Sequence, residues 1–303
     1  MKGIIYYLAY SILWLLTLLP LSILYLLSGF LYAVLYYIAR YRRKTVYTNL
    51  RLSLPDRSPA EISRISKAFF RQLVDYFMEW MYQINMGKKE HTRRMHFKNP
   101  EILEQYYKQK KSVIVLTSHY GNWEWTSLIS CVSNHTALAV YKSLQNKYSD
   151  RLFLNLREKF GVIGVPMEST LRAIIDYQRK REPIILLTLG DQRPQWNSLQ
   201  HWMQFLNQDT PVITGPEKIA RKYNMPVLFL AVNKAKKGYY EVEFQVICEE
   251  PDETPFGEIT WKYMKTLENL IKKRPELWLW SHKRWKYNRK DVKNPAEIGQ
   301  TSS

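Results

Sequence analysis

Hydrophobic positions fall under two different rules along this chain. From Gly3 to Ala39 there are 37 consecutive residues without a charge, nearly twice the roughly 20 apolar residues that span a bilayer. As one straight helix the run would be about 55 Å long at about 1.5 Å per residue, longer than a bilayer core is thick. Pro20 stands in its middle, where the missing N–H and the ring break or kink a helix. Two arrangements follow: a single span over Leu21 to Ile38 with residues 4–19 tilted or interfacial, or a helical hairpin that turns at Pro20 and dips into one leaflet. Tyr6, Tyr7, Tyr10, Trp14, Tyr25, Tyr32, Tyr36 and Tyr37 suit extensive contact with the membrane interface. A buried helical pair in a soluble protein is the competing reading, but the uncharged run far exceeds ordinary core helices. No small-residue cleavage site follows the run, so it reads as retained and not as a removed leader.

Beyond residue 40 the pattern becomes that of a folded domain. Ser58-Pro59-Ala60-Glu61 has the form of a capping box with proline at the first helical position. Apolar residues then recur at helical spacing from Ile62 through Phe69, Phe77 and Trp80 to Ile84, and Gly87 supplies a stop. After residue 111, short apolar runs alternate with helical patterns. Strands are predicted at 113–116, 137–141, 161–166, 184–189, 227–232 and 240–247, the last alternating and nearer a sheet edge. Helices are predicted at about 123–132, 151–160, 171–180, 215–223 and 259–273. This alternation predicts an α/β fold with a mostly parallel sheet flanked by helices, preceded by the membrane helix or hairpin. The expected division is an anchor over residues 1–40 and one cytoplasmic domain over 41–303.

Charge narrows the partners. The formal net charge is +18, which calls for nucleic acid, an anionic membrane or an acidic protein. Arg40, Arg42, Arg43 and Lys44 follow directly on the apolar run, and Lys272, Lys273, Arg274, Lys283, Arg284, Lys286, Arg289 and Lys290 form a second cluster near the C-terminus. Basic residues beside a membrane segment favour phospholipid headgroups, and no nucleic-acid-binding signature is present. With only Lys2 on the other flank, the positive-inside rule places residue 40 onward in the cytoplasm. Cys131 and Cys248 read as thiols in a reducing compartment. The histidines show no metal-ligand spacing, and neither a metal nor another cofactor is expected.

The candidate chemistry lies in Ser118-His119-Tyr120-Gly121-Asn122-Trp123-Glu124. His119 follows a buried strand and precedes a helix, which is the strand end where open α/β sheets bind ligands. Across a tight turn relieved by Gly121, the Glu124 carboxylate can fold back to orient the imidazole while the other ring nitrogen takes a proton from a hydroxyl. Backbone N–H groups near Asn122 and Trp123 are candidate oxyanion donors. There is no Gly-x-Ser-x-Gly elbow, and neither cysteine is near His119 in sequence, which agrees with a base-only site without a side-chain nucleophile. Arg157 suits a phosphate or an oxyanion, or else is a surface charge on its helix. Asp191, after another buried strand, is read as holding Arg157, a substrate hydroxyl or its own loop.

His119-x4-Glu124 resembles the His-x4-Asp/Glu signature of glycerolipid acyltransferases, in particular the late lipid A acyltransferases that include the lauroyl and myristoyl enzymes. Tyr141-Lys142, Arg157-Glu158-Lys159-Phe160-Gly161, Asp191-Gln192 and the run from Pro275 through Trp285 match further motifs of that branch, and the resemblance extends from the apolar run to about residue 288. Where the family usually has Phe-Phe-Gly, this chain has Trp202-Met203-Gln204-Phe205-Leu206-Asn207. The resemblance implies direct acyl transfer from a thioester to a hydroxyl of a lipid A precursor at the inner membrane; acidic acyl carrier protein, drawn to the basic surface, is the expected donor, with coenzyme A as the other. It implies His119, Glu124, Arg157 and Asp191 as the catalytic set. Trp278, Trp280, His282, Arg284 and Trp285 read as packing against the membrane-proximal face. Other readings are an acyltransferase for a different glycolipid or aminolipid, and a non-catalytic membrane protein that binds anionic lipid.

Overall fold

The computed structural model describes residues 2–291. The apolar N-terminus is two helices, α1 (Lys2–Leu16) and α2 (Leu21–Ala33), with α2 prolonged by a π-helical turn over Val34–Ile38. Pro20 is the N-cap of α2, a place where the lack of an N–H does no harm. Leu21–Ile38 is the described helical stretch long and apolar enough to cross a bilayer. Helices α3 (Arg43–Ser53) and α4 (Pro59–Tyr82) follow, and Ser58 and Glu61 form the expected capping box at the start of α4.

Helix α2 runs antiparallel along α4. Tyr25 Oη donates to Glu79, Ser28 Oγ donates to Asp75, and the Tyr36 ring packs edge-on against Phe70 at 5.3 Å. The opposite face of this segment remains apolar and open, with Leu26 and Ile38 each 76% exposed and Phe30 69%. The turn between α1 and α2 is tied down as well, because Asn85 Nδ2 donates to Thr17 Oγ1 at 2.7 Å and to the Trp14 carbonyl at 3.0 Å.

The chain then continues through α5 (Lys88–Arg94), β1 (Met95–Phe97), α6 (Glu101–Lys108), β2 (Val113–Thr117), β3 (Thr136–Tyr141), α7 (Lys147–Glu158), β4 (Ile163–Pro166), α8 (Thr170–Lys180) and β5 (Ile184–Leu189). It closes with the hairpin β6 (Trp202–Phe205) and β7 (Gln208–Pro211), α9 (Gly215–Tyr223), β8 (Val227–Lys236), β9 (Tyr239–Cys248) and α10 (Glu258–Lys273). Seven strands form one sheet in the order β1-β9-β8-β2-β5-β3-β4, parallel throughout except for the β8–β9 pair. Every residue of β2 is buried. Ile114 and Leu116 face a core shared with Leu186, Phe229 and Tyr263, whereas Val113 and Val115 face one shared with Leu187, Leu230 and Trp125. Layers on both faces explain why these strands read as continuous apolar runs without alternation.

Two local expectations change. The residues predicted as an α-helix from Trp123 to Val132 form a 3-10 helix, Glu124–Cys131. Thr126 and Ser130 turn their hydroxyls back onto the carbonyls three residues earlier, a local bond that competes with regular α-helical pairing. The segment around Trp202–Asn207, for which no strand is predicted, opens the β6–β7 hairpin, with Leu206 and Asn207 in the left-handed region at φ 50° and 59°. A two-residue turn without glycine gives little hairpin signal in a sequence.

Candidate active site

The parallel register of β2 and β5 decides the site. Val113 lies opposite Ile185 and Thr117 opposite Leu189, so the strands stop level with each other. The second residue past β2 is His119 and the second past β5 is Asp191, which brings these side chains together at the carboxyl end of the sheet. His119 Nδ1 is 2.8 Å from Asp191 Oδ1, and the His119 backbone N–H donates to Oδ2 at 3.0 Å. Trp278 Nε1 donates to the same Oδ2 at 2.8 Å. Asp191 is buried; His119 keeps 19% of its side chain exposed. Burial by itself would push the Asp191 carboxyl up, yet the neighbouring imidazole charge and these hydrogen bonds hold it below its ordinary range.

The turn that carries His119 is held from several sides. Gly121 has φ +65°, and a Cβ there would meet Val232 Cγ1 at 3.1 Å and the Val232 carbonyl at 3.3 Å, so any other residue would be strained. Its N–H donates to the Leu277 carbonyl, and Leu279 N–H donates to the His119 carbonyl, both at 3.0 Å. The segment after α10 is thus stitched onto the turn that carries His119. Asn122 is fully buried; its Oδ1 accepts from Trp125 N–H and so starts the 3-10 helix.

Glu124 does not fold back onto the imidazole, as the sequence suggested. It is forked by Arg157 from the end of α7, with Nη2 3.0 Å from each carboxylate oxygen. The expectation that Glu124 orients His119 is corrected: Asp191 makes that contact. The physical reason is that Glu124 opens a 3-10 helix pointing towards α7, while Asp191 reaches the imidazole from the adjacent strand. The possible Asp191–Arg157 contact is likewise replaced, since Arg157 pairs with Glu124. Trp123 sits beside both groups, stacked on Tyr76 at 4.0 Å with its ring 5.1 Å from that of His119.

His119, Glu124 and Arg157 line one cleft of about 760 Å³, with Lys142, Gln192 and His282 on its polar side. Its apolar walls include Val140, Leu144, Phe153, Leu154, Met167 and Trp196. Gln192 Nε2 is 3.0 Å from His119 Nε2, so the imidazole in its neutral form donates from Nδ1 to Asp191 and accepts at Nε2. Residues 202–211, where the motif departs from Phe-Phe-Gly, are not among the cleft's described lining residues.

Sequence reasoning placed the Trp278 to Trp285 run in structural packing. Trp280 and Arg284 are buried there. Trp278, however, bonds Asp191, and His282 faces the cleft with its imidazole pushed down to about 4 by burial and by the nearby Arg193 and Arg284. Gln192 appeared only as a motif residue, and Asn122 only through its backbone. The signal that finds Asp191 and Gln192 is a polar pair after a buried strand, the same pattern that singled out His119.

The model of the bacterial lipid A biosynthesis acyltransferase family matches residues 1–287. The chain is also similar to lipid A biosynthesis acyltransferase 2 of Shigella flexneri, at 20% identity over 259 residues, covering 85% of this chain and 82% of the relative.

Proposed function

Since the chain belongs to the bacterial lipid A biosynthesis acyltransferase family and is an acyltransferase, we propose that it moves a fatty acyl group from acyl carrier protein to a hydroxyl of a lipid A precursor, with His119 as general base. The observation that carries this reading is the imidazole held on Nδ1 by buried Asp191 while Nε2 faces a cleft with an apolar wall.

The reaction follows from the groups present. The acceptor hydroxyl replaces the Gln192 amide at His119 Nε2 and gives up its proton there as its oxygen attacks the thioester carbonyl. Asp191 fixes the tautomer and stabilises the imidazolium that forms, as a buried carboxylate does behind a catalytic histidine. The tetrahedral intermediate then expels the thiolate, which takes the proton from the imidazolium, and the ester is complete without a covalent enzyme intermediate. Arg157 and Lys142 supply positive charge for an acceptor phosphate or the developing oxyanion, and Glu124 fixes the guanidinium plane. The acyl chain lies along Leu144, Phe153, Leu154 and Met167, where each buried methylene is worth about 0.8 kcal/mol.

The exposed apolar face of α2 supports a seat on the inner membrane, and the basic flank from Arg40 to Lys44 supports a cytoplasmic catalytic body. Net positive charge draws in the acidic carrier protein.

Purified wild type and His119→Ala, incubated with acyl carrier protein thioesters and a phosphorylated glucosamine-disaccharide lipid, test the reading by mass spectrometry. One added acyl mass with wild type and none with the variant is expected. Transfer by His119→Ala at the wild-type rate, or wild-type transfer only to another glycolipid or aminolipid, overturns it.

A further inference from the structure

Outside the cleft, one buried acid has no part in the chemistry described. Glu79, on α4, is fully enclosed and accepts three hydrogen bonds: from Tyr25 Oη at 2.8 Å, Tyr240 Oη at 2.7 Å and Asn122 Nδ2 at 2.8 Å. The donors come from three separate parts of the molecule. Tyr25 belongs to the apolar helix α2, Tyr240 to β9, and Asn122 to the turn between His119 and Glu124. Around them Lys234 Nζ donates to Gln72 Oε1, and Lys234 is the basic group whose charge acts on Glu79.

Three neutral donors are poor compensation for taking a carboxylate out of water, and a well-packed apolar side chain would often serve stability better. Burial indeed pushes the Glu79 carboxyl above its ordinary range, against the opposing pull of Lys234 and the three hydrogen bonds. What the carboxylate does that an apolar residue cannot is hold three donors at fixed distances. One of them, Asn122, is the residue whose side chain also starts the 3-10 helix bearing Glu124.

We propose that Glu79 is a positioning residue for acyl transfer: it grips Asn122 so that the turn presents His119 and Glu124 to the cleft together, and through Tyr25 it makes that grip depend on the docked apolar helix. This rests on the reading of His119 as the base. The helix that seats the enzyme on the membrane is then part of the framework of the active site as well as a tether. An enzyme whose α2 is unseated loses one of the three donors on Glu79, and with it the fixed position of the turn.

The test is kinetic and uses the full-length enzyme in detergent or vesicles, with kcat expressed per folded molecule by near-ultraviolet circular dichroism. Glu79→Gln and Asn122→Ala are each expected to lower kcat about 30-fold or more with KM for the acyl thioester within about threefold, because both disturb one arrangement. Their combination falls no further than about threefold below the worse single variant, as coupled neighbours do. Tyr25→Phe, which removes one hydroxyl and keeps the ring, lowers kcat about three- to tenfold. If Glu79→Gln does not fold, the same coupling is read between Tyr25→Phe and Asn122→Ala. Wild-type kcat in these variants, or losses that multiply as for independent sites, overturns the proposal. Transfer by His119→Ala at the wild-type rate sinks the reading of the base instead, so the two failures are told apart.

Discussion

Two acid–base pairs face the same cleft, and they are built differently. At the strand ends, buried Asp191 holds the imidazole of His119, with backbone and indole N–H groups satisfying its second oxygen. On the helical side, Glu124 is held by Arg157, with 11% and 19% of the side chains exposed respectively. The first pair holds an imidazole, whose two nitrogens can donate and accept; the second holds a guanidinium, which only donates. An acid that pairs with a guanidinium fixes a charge in place, and an acid that pairs with an imidazole orients a base. Proximity in sequence pointed to the wrong acid for the base, because five residues of chain do not fix where a side chain aims.

The sharpest way to break this comparison is to remove its base. His119→Ala is expected to lower the transfer rate by about two to four orders of magnitude, measured by product formation under saturating donor. Next comes the choice between acids. Asp191→Asn leaves the shape but favours the wrong tautomer, and should lower kcat about 100-fold or more. Glu124→Gln loosens Arg157 and should cost about tenfold in kcat/KM. The reverse order would return the orienting role to Glu124. Trp278→Phe removes one donor to Asp191 and should lower kcat about three- to tenfold, the equivalent of about 1 kcal/mol.

A third imidazole sharpens the contrast through stability. His91 is fully buried with neither ring nitrogen partnered, packed edge-on against Trp125 and Phe160, and burial together with the Lys159 charge pushes it down to about 3. Its folded value lies below its unfolded one, so the unfolded chain binds the extra proton. Stability is therefore full above about pH 6.5 and falls as pH drops from there towards about 3, by up to about 1.4 kcal/mol per pH unit from this group. His91→Phe should flatten that acid slope in denaturant titrations at pH 5 and pH 7.5 while leaving the transfer rate near wild type. An unchanged slope would mean that another group, such as His282, dominates the loss between these pH values. Asp191 has the same sign: with its folded value lowered, its contribution is present above about pH 4 and is lost as pH falls further.

Much of the fold was legible because both sheet faces are covered and the helices are amphipathic. The apolar runs at 113–116 and 184–189 became β2 and β5 almost residue for residue, and Ser58 and Glu61 marked the start of α4. Strand β1, three residues long, and the β6–β7 hairpin were missed because such short pieces carry no periodicity. At the site, His119 and Asp191 were each visible as polar residues after buried strands. Their pairing was not visible, since it depends on which strands become neighbours.

The sequence by itself determined that an apolar segment precedes an α/β domain, and that its reactive groups sit where strands end, because burial and periodicity are written locally. Only the tertiary structure decided that β5 lies beside β2 in register, that Asp191 and not Glu124 meets the imidazole, that Trp278 bonds Asp191 and that Glu79 bonds Asn122. Those contacts join residues 43 to 87 positions apart, and a separation of that size becomes a distance of 3 Å only through the packing of the whole sheet.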